Sequence, residues 1–125
     1  MLAYFFALKQ SILFRDHTIK YAYLVGAGSN FLSWSLLLWA VFARIGAREL
    51  IALHTTIYFG IDLVGPKSSL FFYPLLGLII LLGNAAAVII WGKKDIFLAR
   101  SSGFITAGLE VALVALSVWI VLLNL

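Results

Sequence analysis

Residues 70–91 read LFFYPLLGLIILLGNAAAVIIW. The run carries no charge, and Asn84 is its one strongly polar side chain. At 1.5 Å rise per residue, a helix of this length measures roughly 33 Å, enough to cross a ~30 Å hydrocarbon core. Backbone groups inside lipid must be satisfied within their own segment, so the run reads as a transmembrane helix. It lacks the short alternation of apolar and polar positions that marks barrel strands.

Two further runs flank it. Residues 21–42, YAYLVGAGSNFLSWSLLLWAVF, are uncharged, and residues 103–125, GFITAGLEVALVALSVWIVLLNL, hold a single charge at Glu110. The expected fold is therefore all-α: an integral membrane protein with three transmembrane helices, at 21–42, 70–91 and 103–125. An N-terminal segment, 1–20, precedes them. An outer loop spans 43–69 and an inner connector 92–102, all in one membrane domain. Composition agrees. Of 125 residues, 64% are hydrophobic and 11% charged, where a soluble domain carries about a quarter charged.

Residues 1–14, MLAYFFALKQSILF, have no basic residue before the apolar part and no small-x-small cleavage site after it. A retained segment is expected rather than a signal peptide. Leu2, Phe5, Leu8 and Ile12 mixed with Lys9, Gln10 and Arg15 suit an interfacial helix on a leaflet surface. An apolar extension packed along the first span fits equally well.

Basic residues set the direction. Lys9, Arg15, Lys20, Lys93, Lys94 and Arg100 fall on one side, and Arg44, Arg48 and Lys67 on the other. Six against three places the N-terminus in the cytoplasm and the C-terminus outside the cell membrane. The net charge of +4 sits at the ends of apolar runs rather than in a groove-sized patch, so no nucleic-acid partner is expected. The absence of cysteine excludes disulfides and thiolate metal sites.

Polar residues inside the spans are the candidates for function. Gly103, Thr106, Glu110, Ser117 and Asn124 recur on one helix face. Counted from the inner ends of the runs, Glu110 lies about 12 Å deep, Asn84 about 10 Å and Asn30 about 13 Å, with Ser29 and Ser33 beside Asn30. The three spans thus predict one polar layer in the cytoplasmic half. A carboxylate facing lipid costs roughly 2.5–3.5 kcal/mol or more, so Glu110 should face protein or water. It is either a proton- or cation-binding carboxylate served by Asn84 and Asn30, or a neutral or hydrogen-bonded group that joins helices. Burial favours the neutral carboxyl in the second reading.

Ala22 with Gly26, Ser29 with Ser33, and Gly83 with Ala87 are small pairs suited to close helix packing. Trp39 and Trp91 sit near span ends, where tryptophan anchors at interfaces. Pro74 falls near a helix start, where proline is tolerated. Ser101 or Ser102 is placed to cap the third helix.

Between the first two spans lies LHTTIYFGIDLVG, residues 53–65. Ile57, Phe59, Ile61 and Leu63 alternate in the manner of a strand. His54, Tyr58 and Asp62 are spaced for one helix face. Gly60 and Val64-Gly65-Pro66 oppose one long helix. The expectation is a short helix or extended piece folded back over the helix ends as a lid. A His54–Asp62 hydrogen bond would lock it, or the polar residues would present it to a headgroup or partner.

This segment resembles the outer segment of small multi-span bacterial membrane proteins of uncharacterised function, in which a run close to LHYNIYFGIDLIGP leads into a PLLGLIIL-type helix. The likeness runs over Leu53, His54, Ile57 to Val64, Gly65 and Pro66, and over PLLGLIILL at Pro74 to Leu82. It departs at Thr55 and Thr56, where the resemblance has Tyr and Asn. It is confined to residues 53–66 and 74–82. It implies a recurrent architecture, and it brings no activity and no catalytic residues.

No enzyme chemistry is expected. One His and one carboxylate are too few for zinc. No nucleophile motif, phosphate-cradling Gly loop or HExxH is present. No cofactor and no metal are expected. The leading expectation is a non-catalytic accessory or structural subunit of a larger membrane complex. It would contact membrane lipids and either a protein partner or a second copy within the bilayer. A small homo-oligomeric transporter or channel using Glu110 is the alternative. A lipid- or headgroup-binding protein working through His54 and Asp62 comes after that.

Overall fold

The computed structural model describes residues 1–9, 11–46, 50–58 and 60–125, with the backbone alone at 5, 7–9, 54–56 and 62. Two short N-terminal helices, α1 (Leu2–Lys9) and α2 (Ile12–Arg15), lead into α3 (His17–Trp39). A π-helical segment, Ala40–Ile45, continues α3. Strands β1 (Leu50–Thr56) and β2 (Gly60–Pro66) follow, then a 3-10 segment, Lys67–Phe71. The long helices α4 (Phe72–Trp91) and α5 (Ile96–Asn124) complete the chain. Three continuous helical stretches, His17–Ile45, Lys67–Trp91 and Ile96–Asn124, are long and apolar enough to cross a membrane.

The helices start earlier than the apolar runs indicate. Asp16 caps α3 by accepting from the Ile19 amide at 3.1 Å, and Asp95 caps α5 by accepting from the Leu98 amide at 3.0 Å. The caps are thus aspartates, not Ser101 or Ser102, which lie inside α5. The connector shrinks from 92–102 to Gly92–Asp95. Hydropathy misses the first turns of α5 because Arg100 interrupts the apolar run, although arginine is a good helix former. Arg100 bonds Asp16 at 2.9 Å and ties the start of α5 to the start of α3.

The segment 50–66 departs from an all-α fold. It forms an antiparallel hairpin with Leu50 opposite Pro66, Ala52 opposite Val64 and Thr56 opposite Gly60. The alternating, β-branched sequence suits a strand, and Gly60, at φ 68°, accepts the turn geometry that a side chain would resist. The register slips on either side of His54, which pairs with Leu63, so that Leu53 and Asp62 fall in compensating bulges. His54, Tyr58 and Asp62 therefore share no helix face. Tyr58 sits in the turn with 90% of its surface exposed.

The interior holds two apolar clusters with a polar group of residues between them. At the hairpin end Leu37, Val41, Ile45, Ile51, Leu70 and Ile120 pack together. At the opposite end Ile19, Tyr23, Val88 and Ala99 form a smaller cluster. Between them lie the buried polar residues Asn30, Ser33, Thr106 and Glu110. The outer faces carry exposed Phe31, Ile79, Leu82, Phe104, Ile105 and Leu122. Lipid is as apolar as leucine, so helices in a bilayer gain little by burying leucine and much by turning small and polar groups inward. Ala22 and Gly26 serve this internal packing: a Cβ on Gly103 would stand 3.1 Å from Ala22 Cβ, and one on Gly26 3.1 Å from Leu81 Cδ1.

Candidate functional site

The face of α5 read from spacing is the buried one. Gly103, Thr106, Glu110, Ser117 and Asn124 are all buried in the bundle. Glu110 falls at the midpoint of α5, fourteen residues from Ile96 and fourteen from Asn124.

Glu110 is 1% exposed. Asn30 Nδ2 on α3 donates to Glu110 Oε2 at 3.2 Å and to the Pro74 carbonyl oxygen on α4 at 2.9 Å. One amide thus links all three spans. Gly77 makes the room. A Cβ there would lie 2.7 Å from Glu110 Oε2, 2.8 Å from Asn30 Nδ2 and 3.0 Å from Glu110 Oε1. Glu110 Oε1 and Ser33 Oγ are buried without a hydrogen-bond partner among the described residues.

Asn84 does not join this group. Its Nδ2 donates to Thr106 Oγ1 at 2.7 Å, and Thr106 Oγ1 donates to the Ser102 carbonyl oxygen at 2.8 Å. Thr106 precedes Glu110 by one helical turn, so the single expected layer resolves into two steps about 6 Å apart. Ser33 is fully buried, whereas Ser29 is half-buried at the edge of the bundle.

At the hairpin end Asn124 holds β1. Its Oδ1 accepts from the Ala52 amide at 2.8 Å, while its Nδ2 donates to the Ala52 carbonyl oxygen at 2.7 Å and to the Ile120 carbonyl oxygen at 2.8 Å. Lys67 Nζ donates to the Gly46 carbonyl oxygen at 2.8 Å and closes the end of the first helical stretch. The side chains of His54 and Asp62, and all of Arg48 and Gln10, lie outside the described residues. Among the described residues no three His, Cys, Asp or Glu side chains gather as a metal site would require.

Two participants were missed in the sequence: Gly77 and the Pro74 carbonyl. Proline and glycine near a helix start pass for loosening elements. A glycine facing a carboxylate on another helix leaves no mark in one sequence. Asn124 was visible as part of the polar face, but its partner is backbone, which no residue type reveals.

No protein-family model matches this chain, and no curated protein or solved structure matches it.

Proposed function

We propose that this chain is a non-catalytic accessory or structural subunit of a larger membrane complex. The observation that carries the reading is the inward turn of its polar layer. Asn30, Glu110, Asn84 and Thr106 find partners within one chain, and the faces left over are apolar. Such a bundle needs no second copy to shelter its carboxyl, and its free helix faces suit lipid and neighbouring helices. The orientation proposed is N-terminus cytoplasmic and C-terminus outside, with the hairpin seated on the outer surface and α1 and α2 at the inner one. The resemblance at residues 53–66 and 74–82 supports a recurrent architecture of this kind.

Affinity-tagged extraction from native membranes in mild detergent, followed by mass analysis, tests the reading. Foreign membrane proteins recovered at fixed stoichiometry support it. A chain recovered alone, or only with copies of itself, overturns it.

One observation favours a second reading, a proton or cation pathway through an oligomer. Glu110 Oε1 is buried and lacks a partner among the described residues, and a buried ionisable group within a span is a functional candidate in its own right. Flux in proteoliposomes that disappears in Glu110→Gln would establish it.

A further inference from the structure

We infer that the end of the bundle opposite the hairpin holds one anionic phospholipid, with its acyl chain between α3 and α4 and its phosphate on Lys20. A groove of about 280 Å³ runs there, walled by Ala27 of α3 and by Leu82 and Ala85 of α4. Small residues at 27 and 85 leave the space that larger side chains would fill. Leu13 and Phe14 of α2 close its end, and α2 is held there by contact with the turn after α4: a Cβ on Gly92 would lie 2.8 Å from Ile12 Cγ2. The wall is apolar except for Tyr23 and Lys20. Tyr23 spends its hydroxyl on Ser102 Oγ of α5, 3.2 Å away. Among the described residues Lys20 remains the one cation of the groove.

Charge complementarity selects the occupant. The Lys20 ammonium makes no hydrogen bond or ion pair among the described residues. The two carboxylates of this end are engaged elsewhere, Asp16 with Arg100 and the Ile19 amide, and Asp95 with the Leu98 amide. Arg15, Lys93 and Lys94 add to the positive end. An apolar slot open to lipid with an unneutralised ammonium at its polar end matches a phosphate on an acyl chain. A basic residue at the membrane surface favours anionic lipid by a factor of about five. This site is separate from the outer hairpin and does not depend on the subunit reading.

The test is native mass spectrometry of the purified chain exposed to equal amounts of phosphatidylglycerol and phosphatidylcholine. The wild type should retain one phosphatidylglycerol about fivefold over phosphatidylcholine. Lys20→Gln should retain lipid without headgroup preference. Ala27→Phe with Ala85→Phe should retain neither, with helical content by circular dichroism unchanged. Equal retention of the two lipids by the wild type, an undiminished preference in Lys20→Gln, or full retention in the double variant would overturn the proposal. So would a photo-crosslinker at position 82 that captures a protein helix in native membranes in place of lipid.

Discussion

The side-chain amide of Asn124 and the main chain of Ala52 bond each other in both directions, at 2.8 Å and 2.7 Å. Asparagine offers a carbonyl and an amide on one planar group, so it pairs with a strand residue as another strand would. Both residues are buried. A two-stranded hairpin is marginal by itself, and this pair fastens it to the end of α5.

Asn124→Ala leaves the Ala52 amide and carbonyl without their partner. Each buried group so orphaned costs roughly 1–3 kcal/mol. Hydrogen exchange at the Ala52 amide, measured in nanodiscs, should accelerate while α4 amides stay protected. Asn124→Asp, as a carboxylate, sets an oxygen against the Ala52 and Ile120 carbonyl oxygens to which the amide donated, so exchange at Ala52 should be at least as fast as in Asn124→Ala.

Gly77→Ala should destabilise the bundle by about 1–3 kcal/mol through overpacking. The added Cβ meets three polar atoms at 3.0 Å or less, and Asn30 is tied to two other spans. Gly83→Ala is the control, since a Cβ there has nothing within 4 Å. Detergent-induced unfolding followed by circular dichroism should separate the two variants.

Glu110→Gln keeps the shape and an acceptor for Asn30. It should fold with stability within about 1 kcal/mol of the wild type. If Glu110 only joins helices, complex recovery is unchanged as well. Glu110→Leu removes the acceptor and should cost about 1 kcal/mol more, because Asn30 Nδ2 keeps the Pro74 carbonyl alone.

The bond from Arg100 and then the Ile19 amide hold the Asp16 carboxyl below its ordinary value of 3.8. A lowered folded-state value contributes stability above the unfolded-state value, and that contribution is lost as pH falls through the folded-state value. Thermal unfolding in detergent should therefore weaken progressively below about pH 4. In Asp16→Asn this part of the acid dependence should be absent. The wild type and variant should converge at the lowest pH.

Much of the architecture was legible in the sequence. Three helices long and apolar enough to cross a bilayer follow from runs that carry at most one charge. The inward face of α5 follows from spacing, because Thr106, Glu110, Ser117 and Asn124 recur at helical intervals and are too polar for an apolar surround. The strand alternation of Ile57, Phe59, Ile61 and Leu63 was also visible. It competed with a helical spacing of His54, Tyr58 and Asp62, and local pattern alone could not choose between them.

What the sequence by itself determined is which face of α5 carries the buried polar residues, since that depends on each side chain's own transfer energy and on the helical repeat. What only the tertiary structure decided is who meets whom. Asn30 meets Glu110 and Asn84 meets Thr106, one turn apart, because the packing of α3, α4 and α5 against one another sets their relative heights. Gly77 admits the first pair through the lack of a Cβ. The hairpin is secured because Asn124 finds a backbone partner 72 residues away, a distance over which no local pattern carries information.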